Sequence, residues 1–155
     1  MLAVLKYDIG YQLVYLLHIL TFVVAFAPTF LAPRLSRVTA GVDVDARRNV
    51  GRAMVDATLK LHLPALILTG FLGIVLILMS DEVYEFSQSW ISISFLLWFA
   101  MLGVWWFLLL PAQRVLAADR TPEAAKKATM FGGIIHVLLV LMLVVMVFKP
   151  GSPFA

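Results

Sequence analysis

Four long apolar runs, separated by short polar stretches, dominate the chain. Each is of the length that crosses the hydrocarbon of a bilayer, about 20 residues. The pattern predicts spans over about 11–32, 61–79, 90–110 and 130–148. Tyrosines open the first, and Arg34 and Arg37 close it. Ala25-Phe26-Ala27 would suit a signal-peptidase site. The apolar run continues past it, however, and the basic flank reads as a stop-transfer, so a retained span is expected. Pro28 and Pro33 are expected to kink or end that helix. Short connections make successive spans antiparallel neighbours, so the expected fold is an all-α, integral-membrane, four-helix up-and-down bundle over residues 1–155.

The polar stretches differ in charge. Loop 33–60 carries six basic residues and loop 111–129 carries four, whereas 80–89 holds Asp81, Glu82 and Glu85 and no cation. The positive-inside rule places the two basic loops in the cytoplasm and both termini outside. Within the first basic loop, Asp45 is a plausible N-cap for a helix through ARRNVGRAMVDATLK. That helix either lies on the membrane surface or runs straight into the second span. Thr121-Pro122-Glu123 has the N-cap, proline and acid of a helix start leading into the fourth span. Lys149-Pro150-Gly151 ends that span. Gly70 and Gly73 offer a smooth patch for close helix approach.

Composition sharpens the class. Hydrophobic residues make up 63% and charged residues 14%, against roughly half and a quarter in a soluble domain. With no cysteine, disulfides, thiolate metal sites and cysteine nucleophiles are excluded. The net charge of +3 resides in the loops and speaks to topology rather than to nucleic acid. No carboxylate, Arg or Lys lies mid-span, so a proton-driven transporter or an intramembrane anion site is a poor fit. Nor is there a Ser-His-Asp set or a carboxylate pair for hydrolysis. Redox chemistry through a bound cofactor is the economical remaining form of catalysis.

Three histidines could ligate metal or haem iron. His62, two residues from Lys60, reads as an interfacial histidine. His136 follows Gly132-Gly133 and is as readily a hydrogen-bonding group across the bundle as a ligand. His18 lies deepest, and an imidazole in hydrocarbon needs a partner or a cofactor. Counted from the basic flanks at 1.5 Å per residue, His18 stands about 24 Å up and His136 about 13 Å. That gap of about 10 Å disfavours one haem between them. Met142, at about 22 Å, and Met101, at about 19 Å, are more nearly level with His18. Either methionine could equally be bundle filler. Thr21, Thr69, Ser92 and Ser94 can bond the preceding turn of their own helices.

LLHILTFVVAFAPTFLAPRL resembles the first span of the HemJ-type protoporphyrinogen oxidase family, with His18, Phe26-Ala27 and Pro33-Arg34-Leu35 in the matching places. PALILTGFLGIVLIL, from Pro64 to Leu78, is similar to that family's next span, and VVMVFKP to its ending. The resemblance implies a bacterial inner-membrane helical protein binding haem b, with His18 as axial ligand. MFGGIIH lacks the family's Asn-Glu-x-Pro motif, and FLLWFAMLGVWWFLLLPAQR lacks its basic third span. The resemblance thus bears on fold and ligand more than on the oxidase reaction. CopD-type copper-resistance domains share the histidine in span one. Copper handling by His18 with Met101 and Met142 is accordingly an alternative expectation. A third is an accessory subunit of a larger membrane complex, or a homo-oligomer, with Trp98, Trp105, Trp106 and Phe107 facing a neighbour; a lipid-facing belt would also account for Trp105 and Trp106.

Overall fold

The computed structural model describes residues 8–38, 41–119 and 121–152, with the backbone alone at 28, 29, 32, 33 and 36. Lys6 and Arg120, cations of the head and of the second basic loop, lie outside the described residues. The fold is all-helical, with no strand among the described residues. Four helices follow in order: α1 (Ile9–Val38), α2 (Val44–Leu78), α3 (Ser89–Ala118) and α4 (Pro122–Phe148). Each contains a stretch long and apolar enough to cross a membrane. The cross-helix pairs of α1 with α2 and of α2 with α3 run antiparallel, giving an up-and-down bundle in which α1 packs mainly on α2 and α3 mainly on α4.

Helix ends follow side-chain chemistry. Asp8 takes the amides of Gly10 and Tyr11 on one carboxylate oxygen and starts α1. Asp43, rather than Asp45, caps α2: its carboxylate accepts from the Asp45 amide, and Asp45 becomes the first-turn acid. Thr121 caps α4 through the Ala124 amide, with Pro122 just inside. Lys149 adopts the left-handed conformation that closes α4.

The interhelical prolines are accommodated rather than obeyed as stops. α1 stays helical through Pro28 and Pro33 to Val38. The basic stretch after Val44 runs straight into the second span, so α2 is one continuous rod. α2 and α3 each contain a π-helical turn, Thr58–His62 and Val104–Leu109. In each, the residue closing the turn, Leu63 or Leu110, donates its amide five residues back and is followed at once by a proline, Pro64 or Pro111. A proline ring clashes with the carbonyl four residues earlier and offers no N–H. The one-residue widening removes that clash without breaking the rod.

The core gathers Ala25 and Phe26 of α1, Leu66 of α2, Met101, Trp105 and Leu109 of α3, and Ile135, Leu139 and Met142 of α4. At the α2–α3 turn, buried Ser80 accepts the Tyr84 amide and lies within hydrogen-bond reach of the Ile77 and Tyr84 carbonyls. Asp81 and Glu82 take positive φ there.

Candidate functional site

His18, Thr21, His62 and Thr69 meet along the α1–α2 seam. His18 Nδ1 lies 2.9 Å from the Thr69 carbonyl of α2, and His62 Nδ1 lies 2.8 Å from the Val24 carbonyl of α1. A carbonyl only accepts, so in both rings Nδ1 is the donor, and in a neutral imidazole the lone pair then lies on Nε2. The two helices thus exchange histidine-to-backbone bonds in both directions. Between them Thr69 Oγ1 meets Thr21 Oγ1 at 2.9 Å. Both hydroxyls also lie within hydrogen-bond reach of carbonyls on their own helices, Thr21 of Leu17 and His18, Thr69 of Ala65. Ser94 does the same with Trp90, whereas Ser92 reaches the Phe86 carbonyl in the preceding turn.

His62 is not the wet interfacial residue expected from its proximity to Lys60: it is 8% exposed. Two residues along a helix are about 200° around it, so the neighbours face opposite ways. Lys60 points outward to pair with Asp56 at 2.9 Å, and His62 points at α1. Its target has a covalent origin. The Val24 carbonyl would normally accept from the amide of residue 28, and residue 28 is proline. His62 supplies the missing donor, as a buried backbone carbonyl requires.

The two glycines of α2 each seat a ring. A Cβ on Gly73 would lie 3.3 Å from His18 Cε1. A Cβ on Gly70 would fall inside the Trp98 ring, whose Nε1 donates to the Leu66 carbonyl at 2.9 Å. The expected smooth patch is therefore two notches, one for α1 and one for α3. Trp98, half-buried, is accordingly a strut between α3 and α2. Trp105 is neither partner face nor lipid belt: it is 1% exposed against Phe26, and its Nε1 has no hydrogen-bond partner. Trp106 and Phe107 do face outward.

The structure brings His18 together with Thr21, Thr69 and Gly73. His136 Nδ1 bonds the Gly132 carbonyl of its own helix at 2.8 Å, and its ring meets Phe30 edge-on at 5.6 Å. Met101 and Met142 are buried in the apolar core beside Trp105 and Ile135. Among the described residues, no three or more His, Asp or Glu side chains are grouped to hold a metal ion.

Sequence reasoning missed His62 as a seam residue, although Pro28 marked a carbonyl in need of a donor. It also missed Asp8 as a cap, which its place before the apolar run could have shown.

The fold and this seam define an all-helical bundle whose four described helices are of membrane-crossing length, joined along α1 and α2 by the half-buried His18 and the buried His62. Compared with protein-family models, curated proteins and solved structures, the chain finds no match.

Proposed function

We propose that the chain is a multi-pass protein of the bacterial inner membrane, HemJ-like in build, that binds haem b through His18 and serves a redox role. In this reading the basic stretches 33–60 and 111–129 face the cytoplasm and both termini lie outside. One observation carries the ligand assignment. The His18 Nδ1–H is held on the Thr69 carbonyl, which selects the tautomer whose Nε2 can bind iron. A backbone acceptor behind a ligating imidazole also fixes the ring and raises its basicity. Gly73 leaves the ring room on the α2 side. The donor set fits a single axial histidine. Haem iron, when bound, would supply one-electron chemistry that no side chain here provides. The protein's own part is to hold His18 neutral and oriented and to keep water from the seam.

Copper held by His18 with Met101 and Met142, both buried in the apolar core, is the other metal reading. The test is spectroscopic. Protein purified from haem-replete cells is expected to show a Soret band at one haem per chain, and His18→Ala to lose it while His136→Ala keeps it. A colourless preparation, or a band indifferent to His18→Ala, overturns the assignment; metal analysis of the same sample reads out copper.

A second reading, an accessory subunit, is favoured by the outward ridge of Leu96, Phe99, Trp106 and Phe107 on α3. Stoichiometric co-purification of another membrane protein in mild detergent would support it, and a clean monomer would count against it.

A further inference from the structure

Beyond the apolar spans, the first part of α2 and the last turns of α3 continue side by side. Gly51 sits so close to Ala117 that a Cβ there would lie 3.2 Å from the Ala117 backbone. Beside this contact lies a cleft of about 610 Å³, with Arg52, Asp56 and Arg114 on its walls and Val55, Leu59 and Ala117 among its lining. Its charges are unbalanced. Asp56 already pairs with Lys60 at 2.9 Å. Among the described residues neither Arg52 nor Arg114 has an ion-pair or hydrogen-bond partner. Elsewhere on these basic segments, Arg48 pairs with Asp45 and Lys127 with Glu123, each within its own helix. The cleft therefore combines two uncommitted guanidiniums with an apolar floor, at the level where spans give way to basic segments.

We infer that this cleft is a binding site for an anionic phospholipid, its phosphate on Arg52 and Arg114 and an acyl chain along Val55 and Leu59. Guanidinium matches phosphate geometry with paired N–H donors. Basic pockets between helices at the cytoplasmic surface suit lipid headgroups. A soluble anion would make no use of the apolar floor. The inference rests on membrane placement of the bundle, but not on haem.

The test uses the full chain in mild detergent, read by native mass spectrometry with dioleoylphosphatidylglycerol, dioleoylphosphatidylcholine or inorganic phosphate added. Selective retention of phosphatidylglycerol is expected. Affinity should fall about tenfold in Arg52→Gln/Arg114→Gln and stay unchanged in Lys126→Gln/Lys127→Gln. Ala53→Trp, which fills the cleft and keeps both guanidiniums, should lose the lipid equally, so a folding defect in the arginine variant does not decide the matter. Equal retention of phosphatidylcholine, full competition by phosphate, or an arginine variant that binds as the parent does would each overturn the inference. A Soret result of either kind leaves this experiment unaffected.

Discussion

The two long seams of the bundle are held by different means. Along α1–α2, His18, His62, Thr21 and Thr69 form hydrogen bonds from one helix to the other. Along α3–α4, Met101 and Leu109 lie with Ile135, Leu139 and Met142 in an apolar cluster, and the histidine of α4 bonds only its own helix. That second seam is instead clasped at its end. Lys149, at the close of α4, donates to Tyr84 Oη at 3.1 Å and lies over the Tyr84 and Trp90 rings. In hydrocarbon an apolar helix gains little by exchanging lipid for another apolar helix. A directional bond or a shaped notch is what sets register there. The α1–α2 seam has both, through its imidazoles and the Gly73 notch; the α3–α4 seam is a packing surface.

Substitutions break or sharpen this contrast, and the largest effect is expected at the notch linking the seams. Gly70→Ala puts a methyl into the Trp98 ring and displaces its bond to Leu66, so a loss of about 3 kcal/mol is expected in reversible unfolding in detergent. A loss below about 1 kcal/mol would mean that α3 docks without this strut. Ile135→Ala, in the apolar seam, should cost about 2 kcal/mol, chiefly from the cavity left behind. His62→Leu should cost about 1.5 kcal/mol by orphaning the Val24 carbonyl. Pro28→Ala restores an amide donor to that carbonyl, so in its background the His62→Leu cost should shrink to about 0.5 kcal/mol. Equal costs in both backgrounds would refute the proline–histidine exchange. Trp105→Phe is expected to be smallest, near neutral or stabilising, because it deletes a buried donor that has no acceptor.

Local chemistry made much of the fold legible. Four helices, the Thr121–Pro122 start of α4 and its Lys149 stop are written in neighbouring residues, because span length, N-capping and helix closure are short-range matters. The histidines show where this ends. His18 was conspicuous because it lies deep in an apolar run, and the structure gives it a cross-helix partner. His62 was misjudged because closeness to Lys60 in sequence says nothing about which way each faces. The aromatic run of α3 was misread for the same reason: Trp105 and Trp106 are adjacent, yet one is buried and the other exposed.

By itself, then, the sequence determined an all-helical chain with four helices of membrane-crossing length, since hydrophobic length and cap chemistry act within a few residues. It also determined that Pro28 leaves a carbonyl without its amide, which is covalent fact. Only the tertiary structure decided which donor fills that place, which rings enter the Gly70 and Gly73 notches, that Met101 and Met142 lie in the apolar core, and that His136 bonds the Gly132 carbonyl. Those outcomes depend on the rotation and register of one helix against another. A shift of a single residue changes both by about 100° and 1.5 Å, and no local pattern encodes that.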